Sequence, residues 1–228
     1  MICVCETKAE IYTFHTWNAI QSRSERSFQT IKHRSAKSCG ETCYGNFYYS
    51  TGISGAPVAD QIDSAAIDRL IRNLAASDYY LIARIPAFRD RAYGLANPNY
   101  GLPTSGGYLW DDDQSCYWLD PTSTGTLNYL VQIISEVKNL GFDEIVLADF
   151  RFPDTAEIRF TGDRTATLNR IAKQLLETYG SERFVLSFEV TDPGFVLPEG
   201  RTRLYLQDAN AASASTLAGQ AGFDDPSI

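Results

Sequence analysis

An α/β fold, in which helices pack on a parallel sheet, is what this 228-residue sequence predicts. Three observations predict it. Short apolar runs alternate with amphipathic helical stretches from about residue 60 onward. The runs carry apolar residues toward both faces, as expected of strands covered on each side. The composition, 44% hydrophobic and 12% aromatic with 21% charged residues, supplies one folded domain and argues against disorder.

The elements follow in order. Ile62, Ala66, Ile67, Leu70, Ile71 and Leu74 recur at helical spacing and predict a first helix. Tyr79 to Ile85 then predicts a strand. A second helix is marked by Leu127, Leu130, Val131, Ile134, Val137 and Leu140. Asp120 is its expected N-cap, Pro121 its first residue and Gly141 its stop. Ile145 to Ala148 predicts the next strand. A third helix has Leu168, Ile171, Ala172, Leu175, Leu176 and Tyr179 on one face and ends at Gly180. Phe184 to Phe188 and Leu204 to Leu206 predict two further strands. Periodicity leaves two windings open, a closed barrel and an open doubly wound sheet. No Gly-rich phosphate-binding turn follows a strand, which weighs against the nucleotide-binding version.

Residues 1–43 have a different texture. They carry a net charge of +2 within a chain of net charge −8, so the remainder carries −10. Ser22 to Cys43 is polar and has no helical or strand period. The expected organisation is an irregular basic leader over residues 1–43, outside the core, followed by the α/β domain over residues 44–228. Four of the five cysteines, Cys3, Cys5, Cys39 and Cys43, lie in that leader, and Cys116 lies beyond it. Cys39 and Cys43 lack a second ligand pair at zinc spacing, so a structural or adventitious role is expected. His15 and His33 have no recognisable nucleophile setting and support no triad. The acidic balance argues against nucleic acid as a partner. No stretch approaches the roughly 20 apolar residues of a membrane span, and no export signal is visible.

Candidate chemistry lies where strands end, because ligands of parallel α/β folds bind at the C-terminal edge of the sheet. Asp149-Phe150-Arg151 follows one strand, Glu189 another, Gln207-Asp208 a third, and Arg84 belongs to the strand before them. Glycoside hydrolysis needs two carboxyl groups, one to protonate the leaving oxygen and one as nucleophile or base. Asp149 and Glu189 are the candidate pair, with Arg84 and Arg151 to orient them. The alternatives are a helix cap for Asp149, a loop carboxylate for Glu189 and a structural ion pair for Arg151. A long connection from Pro86 to Pro121 holds Trp110, Tyr117 and Trp118, which are either sugar-stacking faces or anchors of that loop. Asp111 to Asp113 reads as a solvated turn rather than a calcium site.

Several of these residues also resemble a family of glycoside hydrolase-like TIM-barrel proteins formerly classed as a domain of unknown function. The similar segments are Tyr80 to Ile85 with Phe88-Arg89-Asp90, and Gly106-Gly107 with Trp110 and Trp118-Leu119-Asp120-Pro121. The most specific are Gly141-Phe142-Asp143-Glu144-Ile145 and Ala148-Asp149-Phe150-Arg151-Phe152-Pro153. Leu186-Ser187-Phe188-Glu189-Val190 is a weaker match, with Glu where the family carries Asp. The resemblance spans roughly residues 45–208. It implies a (β/α) TIM-type barrel acting on O-glycosidic bonds of oligo- or polysaccharides, with Asp149 as the leading catalytic carboxylate. Arg84, Arg151, Trp110, Tyr117, Trp118 and Asp208 are the substrate-binding residues expected with it. No metal or cofactor is called for. The family's opening strands are replaced by the leader and the last strands are not reached by Ile228, so an incomplete barrel, or an inactive fragment, is the expectation. A non-catalytic carbohydrate-binding protein is the alternative. The resemblance suggests a secreted or envelope location.

Overall fold

The computed structural model of the protein describes residues 2–5, 45–60, 62–77, 79–180, 183–192 and 194–206. Cys39, Cys43, His15, His33, Gln207 and Asp208 lie outside the described residues. Five strands form one sheet in the order β1 (Ile2–Cys5), β2 (Tyr80–Pro86), β3 (Glu144–Ala148), β4 (Val185–Val190) and β5 (Leu204–Leu206). The last four run parallel, and β1 lies antiparallel to β2 with Ile2 opposite Ala83 and Cys5 opposite Tyr80.

The long helices between the strands lie against a single face. They are α1 (Ser64–Ala75), α3 (Thr124–Leu140) and α4 (Arg164–Tyr179), with a short α2 (Arg91–Ala96) inside the loop after β2. Ile71 of α1, Ile133, Ile134 and Val137 of α3, and Leu168, Ile171 and Ala172 of α4 share one core with Leu81, Ala83, Ile85, Ile145, Leu147, Leu186 and Phe188 of the sheet. Ile71, Ile133, Ile134 and Val137 are fully buried. Each such side chain stabilises the fold by about 1.5–3 kcal/mol. Sequential parallel strands with helices on one face differ from a doubly wound sheet, which places helices on both faces and reverses its strand order.

The opposite face departs from expectation. Instead of a second apolar covering it carries Tyr80, Arg84, Glu144, Ser187, Glu189 and Tyr205 beside Ile82 and Val146. Strand side chains alternate with a period of two, so each apolar run conceals one polar residue in two on its inner face. These polar groups are buried by pairing with one another. That is how a charged residue occupies a strand that otherwise looks wholly apolar.

Helix ends follow local chemistry. α3 starts at Thr124 after Ser123, rather than at Pro121 after an Asp120 cap. Asp120 instead closes a turn, its carboxylate accepting the Thr122 backbone N–H (2.8 Å) and hydroxyl (2.7 Å). An Asp-Pro pair suits a turn as well as a cap, and here the turn wins. Gly141 ends α3 at φ +101°, as expected of a left-handed stop, and a Cβ there would lie 2.8 Å from that of Ala75. α4 is capped by Asp163, which accepts from Ala166 (2.9 Å).

Candidate active site

The C-terminal ends of β2, β3 and β4 bring together four of the residues named from sequence. At the end of β3, Asp149 sits at φ +48°, one of two non-glycine residues with positive φ among those described. Strand alternation explains the kink. After Leu147 on the helix-covered face, regular backbone would send residue 149 to that face and Phe150 to the other. Instead Phe150 enters the helix-side core, against Phe88 (5.1 Å), Phe188 (4.8 Å) and Phe195 (5.9 Å). The left-handed residue reverses the pattern, and the Asp149 carboxyl is left at the sheet's edge with 14% of its side chain exposed. Backbone strain of this kind concentrates at functional positions. Asp149 is not a helix cap, since that place in the following helix belongs to Asp163.

Two further hydrogen bonds fix the turn. The Phe150 N–H donates to the Glu189 carbonyl (3.1 Å), which ties the end of β3 to β4. The Arg151 N–H donates back to the Asp149 carbonyl (2.9 Å). Arg151 thereby returns its guanidinium to Asp149, with Nη2 3.6 Å from Oδ1.

Glu189 is held differently. Its side chain is 4% exposed, and both oxygens accept from Arg84: Nε to Oε2 at 2.7 Å and Nη2 to Oε1 at 2.5 Å. This two-pronged geometry is the strongest form of guanidinium–carboxylate pairing. Arg84 pairs with Val146 in the β2–β3 register, so the bridge to β4 passes over β3.

The aromatic residues of the long loop are mostly inside. Trp118 is 2% exposed and Trp110 9%. Trp110 donates from Nε1 to Glu157 (2.7 Å), latching the loop after β2 to the loop after β3. The Thr104–Ile158 bridge and the Arg159 N–H to Pro103 carbonyl bond (2.7 Å) reinforce that latch. Tyr117 is half-buried, its Cβ packed on Gly94 of α2.

Two acids that sequence reasoning passed over organise the surroundings. Asp112, expected in a solvated turn, points inward between exposed Asp111 and Asp113. It accepts from Arg89 Nε (2.6 Å), Trp118 Nε1 (3.1 Å) and the N–H groups of Gln114 (2.9 Å) and Cys116 (3.0 Å). Burial pushes its carboxyl up, but the hydrogen bonds from Arg89, Cys116 and Trp118 outweigh that and hold it below the usual carboxylate range. Glu144, fully buried at the start of β3, accepts from Tyr80 (3.0 Å), Ser187 (2.7 Å) and Tyr205 (2.9 Å) and pairs with Arg203. Its place as the lone charge opening an apolar strand was the available signal. Among the described residues no group of three or more His, Cys, Asp or Glu is placed to hold a metal ion.

The family model described as "Putative glycosyl hydrolase domain" matches residues 41–183, more than half of the chain. The chain belongs to that family. Among curated proteins none matches it. Solved structures supply likenesses of fold. A hypothetical protein from Ruminiclostridium thermocellum ATCC 27405 superposes with a TM-score of 0.57 at 22% identity, over 68% of this chain and 80% of that one. A variant of the GH36 α-galactosidase AgaA from Geobacillus stearothermophilus, solved with 1-deoxygalactonojirimycin, gives a TM-score of 0.50 at 10% identity. That match covers 80% of this chain and 27% of the galactosidase chain. Among the described residues no helix is long and apolar enough to cross a membrane.

Proposed function

We propose that this family member hydrolyses O-glycosidic bonds of oligo- or polysaccharides, with Asp149 as the reacting carboxylate and Glu189 as its partner. The sheet is then part of a (β/α) TIM-type barrel whose interior is the polar face, and the site is the edge where β2, β3 and β4 end. The observation that carries the reading is the backbone of Asp149. A strained residue at a strand's C-terminal end presents a carboxyl that, among the described residues, Arg151 alone meets, and loosely, at 3.6 Å.

The two carboxyls differ in what they can do. Asp149 has oxygens available to attack an anomeric carbon or to exchange a proton with a leaving oxygen. Glu189 has both oxygens committed to Arg84. Glu189 can therefore serve as the partner carboxyl only once substrate displaces Arg84 from its oxygens. In this reading Arg151 orients Asp149 and Arg84 orients Glu189. Of the three aromatics expected to stack on a sugar, Tyr117 keeps some surface to offer, and buried Trp110 and Trp118 support the loop.

Asp149→Asn and Glu189→Gln, screened on a panel of aryl glycosides and soluble polysaccharides, test the proposal. A loss of about 10³-fold or more in kcat for Asp149→Asn is expected of a carboxylate that reacts with the substrate. Unchanged hydrolysis in both variants sinks it. The commitment of Glu189 to Arg84 favours one second reading, a carbohydrate-binding protein without turnover. Glycan binding that survives Glu189→Gln, with no hydrolysis by the parent chain, would select that reading.

A further inference from the structure

We infer that Trp118 is a positioning residue: it seats Arg151 against Asp149 and is itself fixed by Asp112. The inference rests on the proposal that Asp149 is the reacting carboxylate.

The contact chain starts in the loop after β2. Asp112 has four donors on its carboxylate, with Oδ1 accepting from the backbone of Gln114 and Cys116 and Oδ2 from Arg89 and Trp118. A side chain saturated in this way cannot turn without losing several bonds at once, so it is a fixed point. The indole it holds is also clamped from behind. The Trp118 backbone bridges Arg89, and the Leu119 N–H donates to the Phe88 carbonyl at 2.7 Å, so Trp118 lies against the end of β2.

The Arg151 guanidinium stands over that indole, with Cζ 4.8 Å from the ring centre. Its Nε is buried and has no hydrogen-bond partner among the described residues. The ring's quadrupole attracts a guanidinium placed over its face and leaves the edge donors for acceptors. Of these, Nη2 faces Asp149 Oδ1 and Nη1 lies 3.5 Å from the Phe152 carbonyl. Beside those two acceptors, the indole face is the contact that sets the height of the guanidinium above the sheet edge. With 2% exposure and Arg151 on its ring, Trp118 offers a sugar no open surface. It acts on the chemistry through Arg151.

Two readouts test this together. The first is the kinetics of Trp118→Phe, Trp118→Leu and Asp112→Asn on whichever aryl glycoside the parent chain cleaves best. Trp118→Leu is expected to lower kcat roughly 10–100-fold with KM little changed, as a misplaced reacting group does. Trp118→Phe keeps an aromatic seat and is expected to recover most of that loss, and Asp112→Asn is expected to fall between. A sugar-stacking tryptophan would raise KM instead. A merely structural one would lower the melting temperature and leave kcat unchanged. The second readout is the Arg151 Nε–H resonance, shifted by the indole ring current in the parent chain. It is expected to move strongly in Trp118→Leu and to broaden in Asp112→Asn. If the leucine variant fails to fold, the phenylalanine variant gives the same test through its smaller ring current. A resonance that does not move overturns the inference. Hydrolysis indifferent to Asp149→Asn overturns the functional reading alone, because the resonance reports the seat without any substrate.

Discussion

Arg84 on β2 and Glu189 on β4 hold each other across the intervening strand, where Arg84 stands in register with Val146. The Glu189 side chain is almost wholly out of water, whereas Arg84 keeps 23% of its side-chain surface. Removing Arg84 leaves the Glu189 charge buried without the guanidinium that engages both its oxygens. Arg84→Gln is therefore expected to destabilise by about 2–4 kcal/mol in urea unfolding, and Glu189→Gln by a similar amount. The double variant should cost clearly less than the sum of the two. Additive losses would mean that the two residues do not act as a unit.

Asp149 separates backbone from chemistry. A non-glycine residue in left-handed geometry costs about 1–2 kcal/mol relative to glycine. Asp149→Gly is expected to match or exceed the parent in stability, by up to about 1 kcal/mol, while abolishing hydrolysis. Asp149→Asn should fold normally, since Asn tolerates the same region, and lose activity equally. Asp149→Ala should be less stable than the glycine variant by about 1 kcal/mol. Equal stability of the alanine and glycine variants would show that the positive φ at residue 149 carries no strain.

Much of this arrangement was legible before the structure. The helices containing Ile71, Ile134 and Ile171, the strands following them and the stop at Gly141 are all where periodicity and glycine chemistry put them. So is the placing of Asp149 and Glu189 at neighbouring strand ends. That Arg84 and Arg151 orient this pair was read from their places at strand ends, but which arginine takes which acid was not legible, since Arg84 and Glu189 are 105 residues apart. Glu144 was hidden because the acidic pair Asp143-Glu144 ahead of an apolar run looks like the end of a turn. Asp112 was misjudged because three consecutive acids look solvated, and composition does not say which one turns inward. The start of α3 was misplaced because Asp120-Pro121 carries turn and cap signals of equal strength.

Asp112 gives the loop an acid limit. Its carboxyl lies below the ordinary range in the folded protein, through Arg89, Cys116 and Trp118 acting against burial. A folded value lower than the unfolded one, about 3.9, stabilises above that pH, and the contribution fades as pH falls through the folded value. Trp118 emission and near-ultraviolet dichroism should stay constant down to about pH 4 and change only below it. In Asp112→Asn the acid step tied to this loop should vanish, with the loop weaker at every pH. A step centred near pH 5 or above in the parent chain would show that Asp112 does not control it.

The opposite limit lies at the N-terminal end of the polar face. Glu144 takes hydrogen bonds from Tyr80, Ser187 and Tyr205, and Arg203 pairs with it while also reaching the Tyr80 hydroxyl at 3.1 Å. Burial, and then the charge of Glu144, push the Tyr80 and Tyr205 hydroxyls far above the normal phenol range. Tyr49, Tyr93 and Tyr129 are raised as well, burial again first. Groups with raised folded values contribute stability that is complete below the unfolded value near pH 10 and is lost as pH climbs through the folded ones. Absorbance at the phenolate band should therefore show a delayed, steep step above pH 10 from these buried phenols, coincident with unfolding. Glu144→Gln removes the charge that helps keep Tyr80 and Tyr205 protonated and leaves Arg203 without its acid. It should bring the late step to lower pH and cost about 3 kcal/mol at neutral pH. A single transition near pH 10 in the parent chain, with all phenols titrating together, would mean that the cluster around Glu144 is open to water.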